Sequence, residues 1–145
     1  MRALSSQTVL YSQAVAERLG INLTDLMCLG ILGGTGPITA GRLAGLTGLT
    51  TGAITGVVDR LERAGYVRRE RDPDDRRRVI VSRVPERQQE TGTPFGSMLR
   101  ASAELFSRYG DEDLALILDY VTRSHSMLQE ETARLRREKT GRERP

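Results

Sequence analysis

Seven arginines stand in the stretch from Tyr66 to Arg83: Arg68, Arg69, Arg71, Arg76, Arg77, Arg78 and Arg83. Four acids share it, Glu70, Asp72, Asp74 and Asp75, so its surplus of positive charge equals the whole chain's net charge of +3. An arginine fork stays ionised and fits phosphate or guanine. Arg76, Arg77 and Arg78 follow directly on Asp72-Pro73-Asp74-Asp75, a turn sequence, and so fall at the tip of a hairpin. An arginine-bearing ribbon tip can enter a minor groove, where a narrow groove concentrates negative potential. The neighbouring aspartates can hold the guanidinium groups extended. A solvated, salt-bridged loop is the plainer reading of the same charges. Arginine makes up 21 of the 22 basic residues, Lys139 being the exception, and a coding bias alone would produce that excess. The segment before the hairpin has to decide.

That segment, Ala40 to Leu61, has the pattern of two short helices crossing tightly. Ala44 is small where they touch, and Gly48 supplies a turn residue that tolerates positive φ. Thr39 and Thr50 are placed to cap the two helices, and Gly65 to stop the second. In the second helix Ile54, Val57, Val58 and Leu61 recur at the spacing of one buried face. The opposite face shows Thr51, Gly52, Thr55, Gly56 and Asp59. Each interior glycine costs roughly 1 kcal/mol relative to alanine. A face pressed into a groove gains close backbone approach in return, and threonine offers hydroxyls to phosphates or base edges and methyls to thymine. Thr50 and Arg60 complete the DNA-contacting set on this helix. Asp59 repels phosphate; it pairs with Arg63 at i+4 or accepts from cytosine.

Other constellations lead away from catalysis. His125 is the single histidine, so it has no second histidine for a metal pair and belongs to no defensible Ser-His-Asp set. Gly33-Gly34-Thr35-Gly36 lacks the following Gly-Lys-Ser/Thr of a phosphate loop and reads as a linker. Cys28, the single cysteine, cannot form an internal disulfide; in an apolar run it reads as a buried structural thiol. No enzyme activity, cofactor or metal is expected.

Around these residues the chain orders itself as helix, helix, short helix, helix, hairpin, helix, helix. The first helix runs from Gln7 to Leu19 and ends at Gly20; the second follows Asn22 to Asp25, which carry helix-start residues, and stops at Gly33 and Gly34. The hairpin strands hold Tyr66-Val67 and Val79-Ile80-Val81, and Pro85 closes the ribbon. Glu86 to Gly96 is polar and broken by Gly92, Pro94 and Gly96, reading as a link or an irregular helix start. A helix over about Phe95 to Tyr109 follows. The last helix starts at Gly110-Asp111 and carries Leu114, Ile117, Leu118, Val121 and Leu128 on one side. From Arg134 the charged tail is expected to fray. A two-stranded ribbon is marginal alone and must pack on the helices. The fold class is therefore mainly α with a small β-ribbon, a winged helix-turn-helix flanked by N- and C-terminal helices.

With 145 residues, 38% apolar and 28% charged, the chain can build one compact domain with a thin core, which favours a core shared with a second subunit. No apolar run approaches the roughly 18 residues of a membrane span, and no secretory signal pattern opens the sequence. The expected compartment is the cytoplasm.

Residues Ile38 to Val84 resemble the DNA-binding core of the MarR (multiple antibiotic resistance regulator) family. The likeness rests on a helix-turn-helix ending in VVDRLERAGYVRR, on the DPDDRR wing from Asp72 to Arg77, and on the apolar strand VIV after it. The resemblance implies a homodimer built through the terminal helices, here 1–20 and 86–140, around a DNA-binding region, here 24–84. It implies a recognition helix, Thr50 to Ala64, in the major groove, and a wing arginine, Arg76 or Arg77, in the minor groove. Asp72 or Asp75 matches the family's aspartate that braces that arginine. Many members respond to small lipophilic or phenolic ligands held between the dimerisation and DNA-binding parts; others sense oxidants through cysteine. The chain departs from the family where Gly92, Pro94 and Gly96 interrupt a segment that is more continuous in other members.

The function expected on these grounds is a dimeric regulator of transcription, a repressor, that binds double-stranded DNA at a pseudo-palindromic operator and is released by a small ligand. The alternative is a winged helix that binds a partner protein and no specific DNA.

Overall fold

The computed structural model describes the backbone of residues 2–142, and the side chains of these apart from 88–95 and 139–142. The elements are α1 (Arg2–Leu19), α2 (Leu23–Thr35), β1 (Ile38–Thr39), α3 (Ala40–Thr47), α4 (Thr51–Arg63), β2 (Val67–Arg71), β3 (Val79–Arg83), α5 (Pro85–Phe106) and α6 (Asp111–Arg142). They fall into two units, residues 1–96 and residues 97–145.

Caps set the boundaries in the first unit. The Asn22 side chain accepts from the Asp25 N–H, Thr39 from that of Arg42 and Thr50 from that of Ala53, satisfying donors that each helix start leaves orphaned. Gly48 ends α3 at φ 65°, and Gly65 follows α4 at φ 77°, a region that a side chain would make costly. The first turns the chain into α4, the second into the wing. Between them the core assembles: Leu43 from α3, Ile54, Val57, Val58 and Leu61 from α4, Val67 and Val81 from the strands, and Cys28, Leu29 and Leu32 from α2. The Tyr66 hydroxyl reaches across to donate to the Leu19 carbonyl at 2.9 Å.

Five boundaries differ from the expectations. The ribbon has a third strand: β1 pairs antiparallel with β3, placing Ile38 opposite Val81, and the sheet order is β1-β3-β2. A strand of two residues has no alternation to read; it exists because β3 lies open beside it. Second, α2 continues through Gly33 and Gly34 to Thr35, and only Gly36 ends it. Leu29 and Leu32, buried on the core, hold the helix despite a glycine cost of roughly 1 kcal/mol each. The expected linker at 33–36 is thus a helix end. Third, α1 begins at Arg2 rather than Gln7, with Thr8 and Ser12 hydroxyls bonded back to the Leu4 and Thr8 carbonyls. Fourth, α5 is one helix from Pro85 to Phe106. Pro85 suits a first helical position, where its missing N–H is an orphan anyway. Helix growth is cooperative, so Gly92, Pro94 and Gly96 weaken the segment without dividing it. Fifth, α6 runs on past Arg134 to Arg142. Arg134 pairs with Glu131 at 2.5 Å, and basic side chains near a C-terminus complement the helix dipole.

Candidate DNA-binding surface

The buried stripe of α4 turns its other side outward. Ile54, Val58 and Leu61 are fully buried and Val57 nearly so. Thr50, Thr51, Gly52 and Thr55 are exposed, and Gly56 is half-buried. The Thr50 hydroxyl oxygen is occupied as the cap, and Thr55 donates to the Thr51 carbonyl at 2.9 Å. A Cβ at Gly52 would meet nothing within 4 Å, whereas one at Gly56 would touch Arg60 Nη1 at 3.5 Å.

Arg60 turns toward α2. Its Nε and Nη2 donate to the two carboxylate oxygens of Asp25 at 3.0 and 2.7 Å. Asp25 is 2% exposed, while the Arg60 side chain keeps 44% of its surface in solvent. The hydrogen bond to Asp25 is the main cause that raises the Arg60 pKa above its ordinary value. Of the expected DNA-contacting residues, Arg60 is thus held by a buried carboxylate rather than presented with the threonines and glycines. Asp25 read in the sequence only as a helix-start residue, and no local spacing links positions 25 and 60. Arg60→Met, which keeps the stem and removes the fork, is expected to cost about 1–3 kcal/mol by leaving a buried acceptor unpaired. The half-exposed arginine keeps this below the loss for a fully buried pair. A thermal melt coinciding with the parent's would remove Asp25–Arg60 from the account of stability.

Asp59 does not pair with Arg63. Strand β2 brings Arg69 alongside α4, and its guanidinium bridges Asp59, at 2.5 Å, and Glu62. The Arg69 backbone N–H also donates to Glu62 Oε1 at 3.1 Å. Hydrogen bonding to Asp59, followed by Glu62, raises the Arg69 pKa. A strand partner with a second carboxylate in reach holds Asp59 more firmly than one exposed i+4 neighbour does. The same bridge fastens the wing to the helix.

The wing tip is a tight turn. The Asp72 N–H donates to the Arg78 carbonyl at 3.0 Å, and the Arg78 N–H to the Asp75 carbonyl at 2.9 Å. Asp72 Oδ1 accepts from the Asp74 N–H and Asp75 Oδ1 from the Arg77 N–H, at 2.9 and 3.0 Å. These carboxylates therefore brace the turn's backbone. The one that also meets a guanidinium is Asp72, 3.9 Å from Arg78, which replaces the expected brace on Arg76 or Arg77. In both Asx turns one carboxylate oxygen is taken up by a backbone N–H two residues on. The side chains of Arg76 and Arg77 are exposed, with no carboxylate partner among the described residues. Arg71 Nη1 donates to the Arg76 carbonyl at 2.9 Å, and Arg68 pairs with Glu70 at 2.8 Å.

The remaining reactive types stand apart. Cys28 is fully buried; burial first, and then the charge of Asp25, pushes its pKa to about 11, so it stays a thiol at neutral pH. His125 is exposed on α6. Among the described residues no group of three or more side chains could hold a metal ion, and no helix is long and apolar enough to cross a membrane.

The MarR family model matches residues 21–79, the span from the start of α2 to the start of β3. YcgE, an HTH-type transcriptional regulator of Bacillus subtilis (strain 168), is 42% identical over 135 residues, which are 93% of this chain and 88% of YcgE. A MarR family protein from Bacillus stearothermophilus shares the fold with a TM-score of 0.69 at 20% identity, over 88% of this chain and 89% of that one. A mutant of MepR from S. aureus, solved bound to an oligodeoxyribonucleotide, gives a TM-score of 0.60 at 19% identity, over 88% and 94% of the two chains. The capped helix pair, the arginine-tipped ribbon and the extent of the YcgE match lead to one conclusion: the chain is a member of the MarR family of winged helix-turn-helix transcription regulators.

Proposed function

We propose that this regulator acts in the cytoplasm as a repressor, a two-fold dimer that sets the N-terminal end of α4 into the major groove of double-stranded DNA and the wing tip into the flanking minor groove. The observation that carries the reading is the pair of exposed guanidinium groups, Arg76 and Arg77, on a turn whose aspartates brace the backbone and leave both forks without a carboxylate. The DNA-bound MepR structure supports it by likeness of fold. Guanidinium forks left free of internal carboxylates suit phosphate, which they meet through two parallel hydrogen bonds. Salt-dependent binding to random duplex DNA is expected, since counterion release accompanies each phosphate contact. Binding that ignores salt would favour the protein-interaction alternative.

Dimerisation through the terminal helices, 1–20 and 86–140 around a DNA-binding region at 24–84, rests on apolar surface. On α6, Leu118 is 67%, Leu128 61% and Leu135 60% exposed along one stripe; on α1, Leu4 is 71% exposed. A monomer rarely leaves a run of large apolar side chains like that of α6 in water. Sedimentation is expected to give a dimer at micromolar concentration, and footprinting a pseudo-palindrome with half-sites about 10 base pairs apart or a multiple of that. A monomer in sedimentation would overturn the arrangement. Release by a small lipophilic or phenolic effector belongs to the same proposal. A groove of about 460 Å³ between α1 and α2, walled by Val9, Ser12, Leu23, Thr24 and Met27, has the size and character for such a ligand.

A further inference from the structure

The first two turns of α4 carry no side chain that can fork onto a base. Guanine is read by arginine or lysine, and adenine by asparagine or glutamine, each through two hydrogen bonds in the major groove. None of these residues stands on α4 before Arg60, and Arg60, nine residues past Thr51, spends its Nε–Nη2 edge on Asp25. Asp59, the residue able to accept from cytosine, is closed on Arg69. Arg63 lies 12 residues beyond Thr51. That is about 18 Å along the axis, away from the helix end that enters a groove.

What remains exposed is small. Thr51 and Thr55 offer methyl groups on one side of the helix, and Gly52 beside them bares the backbone with open space where a Cβ would stand. The Thr55 hydroxyl proton is held by the Thr51 carbonyl, so its methyl is the free group. The Thr51 hydroxyl is a single polar atom, which meets any base equally well. A helix face of methyls and bare backbone approaches the groove floor closely and finds there one apolar feature, the 5-methyl group of thymine.

We infer that the chain's DNA ligand is a duplex whose half-sites present A·T pairs to α4, recognised through thymine 5-methyl groups by Thr51 and Thr55 rather than through forks onto guanine or adenine. This rests on the DNA-binding reading above. It also explains how a recognition helix can hold both of its central charged side chains in internal ion pairs and still discriminate.

The test is selection by the full-length chain from a randomised duplex library, followed by base analogues in the selected site. Thymine-bearing A·T pairs are expected at the helix-facing positions of each half-site. Deoxyuridine in place of each such thymine should weaken binding about fourfold, the loss for one buried methyl-sized group. 7-Deazaguanine in place of any guanine should leave affinity unchanged. Thr55→Ser, which keeps the hydroxyl and removes the methyl, should lose a similar factor on the thymine site and nothing on the matching deoxyuridine site. Half-sites centred on G·C pairs and weakened by 7-deazaguanine would overturn the inference while leaving DNA binding intact. A·T half-sites that tolerate deoxyuridine would also overturn it, assigning the preference to duplex shape. Failure to enrich any sequence would overturn both readings.

Discussion

Ile54→Ala is expected to destabilise the folded chain by about 2–5 kcal/mol, the range for large-to-small changes in a packed core. Ile54 is fully buried among Leu43, Val57, Val58, Leu61 and the other members of one cluster, so the lost methylene groups leave a void that caps and strands hold open. Domains are stable by only about 5–15 kcal/mol, so this loss is a large fraction of the total. DNA binding should fall only as far as the unfolded fraction rises. Gly52→Leu, on the opposite side of the same helix, should do the reverse. Its side chain would enter open space, and leucine is a better helix former than glycine, so the melt should come no lower. Specific binding should nevertheless collapse, because the leucine would stand between helix and groove. A melting curve and a binding isotherm at one fixed salt concentration separate the two variants. A Gly52→Leu chain that melts low and binds normally would mean that the outward face of α4 is not the recognition face.

The double substitution Arg76→Ala with Arg77→Ala should weaken DNA binding about 30-fold or more, each groove-inserted arginine contributing about 1–3 kcal/mol. Its log affinity against log salt should flatten by about 1.8 units, at roughly 0.9 per phosphate charge neutralised. Folding should be untouched. Both side chains are exposed, and the turn is held by backbone groups that alanine retains: the Arg77 N–H on Asp75 and the Arg76 carbonyl on Arg71. Stability should therefore stay within about 0.5 kcal/mol of the parent. Arg68→Ala is the control, since Arg68 is paired with Glu70 and should contribute less to the salt slope. A double variant with parental affinity and slope would take the wing out of the mechanism.

The two ion-pair systems explain why helix and wing should act as one body. Arg60 ties α4 back to α2 through a buried carboxylate, and Arg69 ties β2 to two carboxylates on α4. Each joins elements that hydrophobic burial alone would hold without orienting, since burial is non-directional and a forked hydrogen bond is not.

What the sequence by itself determined was whatever lies within one turn of helix or one hairpin. The caps Thr39 and Thr50, the turns at Gly48 and Gly65, the buried stripe Ile54, Val57, Val58 and Leu61, and the arginine-tipped ribbon are all local patterns, and all stand where spacing put them. Tertiary structure decided what depends on distant neighbours. Arg60 finds Asp25 across 35 positions and Asp59 finds Arg69 across 10, so one side chain that spacing assigned to DNA and another that it assigned to Arg63 or cytosine are already engaged elsewhere. Strand β1 exists only because β3 offers it an edge, and α2 outlasts its glycines only because Leu29 and Leu32 are buried. Periodicity shows which face of an element is apolar; which charged groups meet is set by the path of the chain, and a window of neighbouring residues does not contain that path.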